Sequence, residues 1–152
     1  MKYLAIALFG ALVACSDKPT STGTPCPDPD PNDLAYTSAD DPTCTGGDCN
    51  FGKTFMDAYC ISCHDSALSR PERHGAPLYH DFDTLLGVMK VPVHIDQQAG
   101  IGPNAANHFM PPDDCPSTPG GALDIKCPQP TDEEREKLAK WIACEVDRPH
   151  SF

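Results

Sequence analysis

The stretch Cys60-Ile61-Ser62-Cys63-His64 constrains this chain more than any other part of its 152 residues. It places two thiols three residues apart and an imidazole directly after the second thiol, a spacing typical of covalent attachment of a c-type haem. On a helical turn both sulfurs lie on one face, where each can add to one vinyl group of the porphyrin. The motif therefore predicts one covalently bound haem c, attached through Cys60 and Cys63, with His64 as a ligand to the iron.

Two other interpretations of the motif are weaker. A structural zinc site needs a second close pair of ligands, and the chain contains no further C-x-x-C. A redox-active dithiol is expected in a βαβ setting, which the surrounding sequence does not provide. Haem attachment remains the prediction.

The amino terminus has the pattern of an export signal. A short positive start, Met1-Lys2, precedes an apolar run that is too short to span a bilayer as a helix. Leu12-Val13-Ala14-Cys15 resembles the lipobox of bacterial lipoproteins, which implies cleavage after residue 14 and acylation of Cys15; an ordinary signal with a chance cysteine is the alternative. Ser16 follows, where lipoproteins of the inner membrane typically carry Asp. We therefore expect a lipid anchor in the outer membrane, with the protein facing the periplasm or the exterior.

The composition is strongly acidic. The formal net charge is −11, and removal of residues 1–14 leaves 10 basic and 22 acidic residues, a net charge of −12. Such a surface argues against nucleic-acid binding and favours a redox partner with a basic docking face. It also serves simply to keep the protein soluble.

Six of the nine cysteines remain after the lipid anchor and the haem attachment are assigned. An even remainder in an exported chain suggests disulfides. Cys115 and Cys127 bracket one Pro/Gly-rich loop and are the first candidate pair. Cys44 and Cys49 can close a small ring, although Cys49 can equally pair with Cys144, and free or metal-binding cysteines are the alternative. The six candidates are Cys26, Cys44, Cys49, Cys115, Cys127 and Cys144.

The chain divides by composition. Residues 16–49 contain six prolines and seven aspartates and show no hydrophobic period, so residues 15–49 are predicted to be a lipidated cysteine with an acidic, Pro-rich tether. Cysteines within this segment hint that part of it is fixed to the domain. Residues 50–147 are predicted to form the haem domain, and residues 148–152 a short tail.

Helical signals dominate the domain. Phe51, Phe55 and Tyr59 recur at a spacing of four and lead into the haem motif, with Asn50 as a possible cap. Thr131 and Glu134 form a capping box before a clear final helix. Short helices are also expected after Asp81-Phe82-Asp83-Thr84, ending before Pro92, and over residues 93–99. No useful strand-like alternation occurs, so the prediction is an all-α, loop-rich fold of three to five short helices around one haem.

The sixth ligand of the iron is predicted to be Met110. Two prolines follow it, which fixes the backbone where a flexible thioether must hold one position. Core packing is the usual role of a methionine, but Met110 lies in a polar, Pro-rich loop. Met89 belongs to an apolar stripe, and Met56 shares a helix with the haem motif. His94 or His108 is the alternative ligand and would give a lower reduction potential.

Together these residues resemble a class I c-type cytochrome: a first helix into Cys60-Ile61-Ser62-Cys63-His64, a later loop His108-Phe109-Met110-Pro111-Pro112, and a final helix that carries Trp141. The resemblance covers about residues 50–147. It implies that the first and last helices cross at Gly52 against Leu138 and Trp141. It also implies that the carbonyl of Pro77 accepts a hydrogen bond from His64.

The resemblance implies an electron carrier rather than an enzyme. Arg70 and Arg73, with His74, are candidates to pair with the haem propionates, although solvated loop charges are an equal alternative. Two other functions remain open. The chain would be either an electron-accepting subunit of a larger dehydrogenase, or a haem peroxidase or gas sensor from whose iron Met110 dissociates.

Overall fold

Helices dominate the regular structure of the chain. The computed structural model describes residues 21–150 and Phe152, so the predicted signal peptide and Cys15 lie outside the described residues. The expected helical, loop-rich architecture is confirmed, and no helix in this part of the chain is long and apolar enough to cross a membrane. The elements are α1 (Phe51–Tyr59), α2 (Ile61–His64), α3 (Leu85–Met89), α4 (Pro92–Ala99), β1 (Cys115–Pro116), β2 (Leu123–Asp124) and α5 (Asp132–Glu145).

The small sheet is a departure from the all-α prediction. β1 and β2 pair in antiparallel fashion, with Cys115 opposite Asp124 and Pro116 opposite Leu123. Strands of two residues are too short to produce an alternation of apolar and polar positions, so the sequence pattern contained no signal for them.

Helix α5 begins as its sequence predicted. The backbone N–H of Glu134 donates to the hydroxyl of Thr131 at 3.2 Å, and the backbone N–H of Thr131 donates to the carboxylate of Glu134 at 2.8 Å. Three acidic residues in the first turn face the positive end of the helix dipole. The capping box is confirmed.

Helices α1 and α5 approach each other closely at Gly52. A β-carbon at this position would lie 2.5 Å from Cζ2 of Trp141 and 2.8 Å from Cα of Tyr36. No larger residue fits there without displacing an aromatic ring or the backbone, so the close contact predicted at Gly52 is confirmed. Trp141 and Leu138 are fully buried beside it.

Helices α3 and α4 follow the predicted stop and start signals. The Thr84 hydroxyl caps α3 by accepting from the backbone N–H of Gly87 at 3.2 Å. Pro92 then occupies the first turn of α4, where its missing N–H costs nothing. Gly100 follows the last helical residue of α4.

Residues 21–49 pack against the helices, which corrects the prediction of a free tether. Leu34, Ala35 and Tyr36 are buried in the core. The Tyr36 hydroxyl donates to the carbonyl of Phe82 at 3.0 Å. This apolar triplet is too short to give a periodic signal in the sequence, yet it fills the space beside α1 and α5.

Arg148, the first residue of the predicted tail, also belongs to the packed structure. The guanidinium of Arg148 donates to the carboxylate of Asp30 at 2.7 and 3.0 Å and to the carbonyl of Leu34 at 2.6 Å. The boundary predicted at residue 147 therefore falls inside the domain, because a single arginine after α5 links it to the amino-terminal segment.

The described part of the chain contains three disulfides. Cys115 pairs with Cys127, which confirms the first candidate. The other two bonds are Cys44–Cys49 and Cys26–Cys144. The alternative of Cys49 with Cys144 is wrong, because Cys26 reaches Cys144 across 118 residues of sequence and leaves Cys49 to its near neighbour.

Candidate haem site

The thiol turn, which we define as residues 60–64, is continuous with α1. The backbone N–H of Cys60 donates to the carbonyl of Met56 at 2.9 Å, and the N–H groups of Cys63 and His64 donate to the carbonyl of Cys60 at 3.1 and 3.0 Å. Cys60 and Cys63 are free thiols. Burial raises the pKa of Cys60 to about 12 and also raises the pKa of Cys63, so both carry their protons at neutral pH.

A cavity of about 470 Å³ joins the thiol turn to the loop that carries Met110. This volume lies within the usual range for small-molecule and cofactor sites. Aromatic and aliphatic side chains, including Phe55, Phe82 and Ile95, form much of its lining. The predicted site residues that line it are Cys60, Cys63, His64, Arg73, Pro77 and Met110.

The imidazole of His64 is neutral and held in one orientation. Its Nδ1 donates to the carbonyl of His80 at 3.1 Å, which leaves Nε2 with a free lone pair. Its ring stacks on Phe82 with centroids 4.5 Å apart. Burial lowers the pKa of His64 to about 4, even though the hydrogen bond to the His80 carbonyl opposes that shift. The side chain is therefore oriented and deprotonated, as an iron ligand must be.

The carbonyl predicted to orient His64 was misplaced by three residues. The carbonyl of Pro77 accepts from Nη2 of Arg73 at 2.7 Å, and the carbonyl beside the imidazole belongs to His80. A backbone hydrogen bond explains the difference. The N–H of Phe82 donates to the carbonyl of His64 at 2.7 Å, which brings residue 80 next to the imidazole of His64. The number of residues between the histidine and this carbonyl, as taken from the family, does not predict the conformation of the loop between His64 and Phe82.

Arg73 lies at the cavity, whereas Arg70 is exposed and is not among the lining residues. The Arg73 side chain is 1% exposed and forms an ion pair with Asp81 at 2.8 Å. Its two Nη groups donate to backbone carbonyls, but Nε has no hydrogen-bond partner within the described residues. A buried donor beside the cavity fits an anionic group of a cofactor. His74 lines the cavity but bonds the carbonyl of Gly121.

The Met110 loop, which we define as residues 107–112, is positioned through its backbone. The N–H groups of Phe109 and Met110 donate to the carbonyl of Gln98 at 3.0 and 2.9 Å. The carbonyl of Met110 accepts from Nη1 of Arg135 at 2.8 Å. The Met110 side chain is 43% exposed while contributing to the cavity lining.

The alternative sixth ligands differ in their access to the cavity. Met56 is fully buried in the core, and neither it nor Met89 is among the lining residues. His108 forms an exposed pair with Asp132 at 2.9 Å and is likewise outside the lining. His94 does line the cavity. Of the candidates for the sixth ligand, Met110 and His94 therefore reach the lining.

Two contributors to the site were missed by sequence reasoning. Arg135 holds the Met110 carbonyl, although an arginine on an amphipathic helix gives no signal of such a role. The Cys115–Cys127 loop contacts the thiol turn, where the N–H of Gly120 donates to the carbonyl of Ser62 at 3.2 Å. The predicted disulfide indicated that this loop has a fixed conformation, but it did not indicate that the loop contacts the thiol turn.

The arrangement does not form a zinc site. Within the described residues, the group of His, Cys, Asp and Glu side chains close enough to share one ion consists of Cys26, Asp30 and Cys144. Two of its members are bonded to each other as a disulfide. The thiol turn and its surroundings instead fit a flat cofactor that needs two thiols, an imidazole and a thioether along one cavity.

Comparisons of the chain with protein-family models, with curated proteins and with solved structures give no match.

Proposed function

We propose that this protein is an electron carrier with one covalently bound haem c and His/Met ligation of the iron, resembling the class I c-type cytochromes. The observation that carries the proposal is that Cys60, Cys63, His64 and Met110 line a single cavity. These four side chains are the complete chemical set for two thioether bonds and two axial ligands.

Each of these four residues has a separate role in the proposed site. When bound, the haem supplies an iron that cycles between ferrous and ferric states. Cys60 and Cys63 would hold the porphyrin covalently, and His64 would offer Nε2 while the His80 carbonyl holds its Nδ1 proton. Met110 would offer its thioether, which favours the reduced state compared with a second histidine. With His64 and Met110 both fixed by the protein, little reorganisation would accompany an electron.

Arg73 supports the proposal from the same cavity. Its buried guanidinium keeps one donor, Nε, without a protein partner. A haem propionate would accept a hydrogen bond from that donor and would also be attracted by the positive charge of the guanidinium. Arg70 is exposed and is left out of this role.

The setting of the carrier follows from the charge and the amino terminus. A lipid on Cys15 would anchor the chain in a bacterial outer membrane, and the packed segment that begins by residue 21 leaves only a short link to the anchor. The net charge of −11 favours a basic redox partner, whose docking should weaken with salt. Replacing Cys15 with alanine should release the protein from the membrane fraction and remove the acyl mass from its amino terminus.

One set of spectra tests the haem assignment. The purified mature protein should show a Soret band, retain its colour on extraction with acidified organic solvent, and show the long-wavelength sulfur-to-iron band when oxidised. Met110→Ala should lose that band, whereas Met89→Leu, which changes a methionine outside the cavity lining, should keep it. Absence of covalent haem would end the proposal.

The same samples separate the other functions. A carrier should bind neither peroxide in the ferric state nor carbon monoxide in the ferrous state at the rates of an open site. Rapid binding of either by the unmodified protein would instead identify a peroxidase or gas sensor. Stable copurification with a dehydrogenase would identify a subunit of a larger complex.

A further inference from the structure

Arg135 is a buried charge without an ion-pair partner. Its side chain is 2% exposed on α5. Within the described residues, no carboxylate lies close enough to its guanidinium to form a salt bridge, and its Nε has no hydrogen-bond partner. Burying an unpaired guanidinium is costly, so its position requires a compensating function.

The contacts of Arg135 converge on the Met110 loop. Its Nη1 donates to the carbonyl of Met110 at 2.8 Å, to that of Asn107 at 3.3 Å and to that of Ala99 at 3.1 Å. Ala99 is the last residue of α4, and the other two carbonyls lie near the two ends of the loop. One guanidinium therefore joins α5, α4 and the loop that carries the proposed sixth ligand.

The part of the loop around Met110 depends on such backbone contacts because its two large apolar side chains are not deeply packed. Phe109 and Met110 are 42% and 43% exposed. The carbonyl of Gln98 accepts their two N–H groups, and Arg135 holds the carbonyl of Met110 from α5. Loss of the Arg135 contacts would remove the hydrogen bond that holds the Met110 carbonyl from α5. The loop would keep its contacts to α4, the His108–Asp132 pair and the hydrogen bond from Gln129 to the carbonyl of Pro112.

The charge of Arg135 lies close to the cavity. Its Nη1 is 2.8 Å from the carbonyl of Met110, a residue that lines the cavity. Asp132 and Glu134 act on Arg135 from the first turn of α5 but form no ion pair with it. A positive charge in this position opposes oxidation of a nearby iron, because the ferric state carries one more positive charge than the ferrous state.

We propose that Arg135 is a positioning residue for the proposed iron ligand Met110: it joins the Met110 loop to α4 and α5 through two loop carbonyls and the carbonyl of Ala99, and its charge favours the ferrous state. This inference rests on the proposed function, since it concerns a haem held in the cavity.

The test uses the purified holoprotein and three variants. Arg135→Lys keeps the charge but ends one bond short of the Nη1 position that makes the three hydrogen bonds, and Arg135→Gln loses both the charge and this reach. Lys140→Gln removes the same charge from an exposed part of α5, where Lys140 pairs with Asp33 at 3.2 Å, and serves as the matched control. Imidazole, which competes with the thioether for ferric iron, is the probe of loop positioning, and a redox titration measures the effect of the charge.

We expect imidazole to bind about tenfold more tightly to both Arg135 variants, because hydrogen bonds that hold Met110 in place are lost. At a fixed ambient potential, the ferrous-to-ferric ratio should fall roughly threefold to tenfold in Arg135→Gln relative to Arg135→Lys. Lys140→Gln should match the unmodified protein in both measurements.

Each result has a distinct meaning. Unchanged imidazole affinity in Arg135→Lys would overturn the positioning role, and this variant alone decides that point if Arg135→Gln does not fold. Equal ferrous-to-ferric ratios in the two Arg135 variants would overturn the role of the charge. If the unmodified protein lacks covalent haem or the sulfur-to-iron band, the proposed function fails before Arg135 is tested.

Discussion

The thiol turn and the Met110 loop line the same cavity but are held in different ways. The thiol turn continues from a helix, and His64 is fixed by a ring stack on Phe82 and by a hydrogen bond to the His80 carbonyl. The Met110 loop contains no helix, and Met110 itself is 43% exposed. Its position comes from backbone hydrogen bonds to Gln98 and Arg135.

This difference separates two tasks of a cofactor site. A partly buried, stacked and hydrogen-bonded imidazole would set where an iron lies, because any movement would break the ring stack and a partly buried hydrogen bond together. An exposed ligand loop can change its side chain without disturbing the core. The potential of the site could therefore be altered at the Met110 loop while the attachment of the cofactor stays the same.

The largest expected effect contrasts the two ligands directly. His64→Ala should reduce the yield of covalently bound haem at least tenfold, because the thiol turn then lacks the group that would hold the iron beside Cys60 and Cys63. Met110→Ala should stay within about twofold of the unmodified protein, since the thiol turn is intact. Haem absorbance per mass of protein, checked by haem staining of denaturing gels, measures both yields.

Met89→Leu controls for replacing any methionine in this domain. An equal loss of haem in His64→Ala and Met110→Ala would show that the Met110 loop is as necessary for attachment as the thiol turn. The two regions would then not have separate tasks.

A second comparison uses one phenylalanine from each region. Phe82 is buried and stacks on His64, whereas Phe109 precedes Met110 and is 42% exposed. Phe82→Ala should lower the free energy of unfolding by about 3–5 kcal/mol, as for other buried phenylalanines. Phe109→Ala should lower it by less than about 1 kcal/mol. Denaturant unfolding followed by circular dichroism measures both, and similar losses would contradict the assignment of a rigid and an adaptable region.

Local chemistry explains which parts of this arrangement the sequence could predict. The spacing of Cys60, Cys63 and His64 is a covalent requirement, so it is visible in five consecutive residues. The Thr131 capping box and the tight contact at Gly52 are likewise set by short segments or by a single missing side chain. Such features need no knowledge of how distant segments meet.

The features that were missed depend on the path of the chain in space. The His80 carbonyl, rather than that of Pro77, reaches His64 because of the way residues 65–81 return to the thiol turn. Burial of Leu34–Tyr36 and the Cys26–Cys144 bond depend on contacts across the whole domain. Composition identified this amino-terminal segment as polar and Pro-rich, but three buried apolar residues, the Cys26–Cys144 bond and the contacts of Arg148 anchor it.

The smallest expected effect concerns the first turn of α5, which contacts both regions. The hydroxyl of Tyr59, next to Cys60, donates to the Glu134 carboxylate at 2.8 Å, while Asp132 pairs with the exposed His108 of the Met110 loop. Burial would raise the pKa of Glu134, but hydrogen bonds from Thr131 and Tyr59 outweigh it and hold the pKa below 4.5. The stability that this carboxylate contributes is present above pH 4.5 and is lost as the pH falls through its lowered pKa.

Glu134→Gln should therefore be less stable than the unmodified protein by about 0.5 kcal/mol from pH 7 to about pH 5, since glutamine can keep the capping geometry but not the charge. The difference should shrink below about pH 4.5, where the carboxylate of the unmodified protein becomes protonated. Urea unfolding across this pH range measures it, with the exposed Glu136→Gln as the control for loss of one negative charge from the same helix. A difference that persists undiminished at pH 3, or one that Glu136→Gln reproduces, would mean that the Glu134 carboxylate does not stabilise the thiol-turn region through Tyr59.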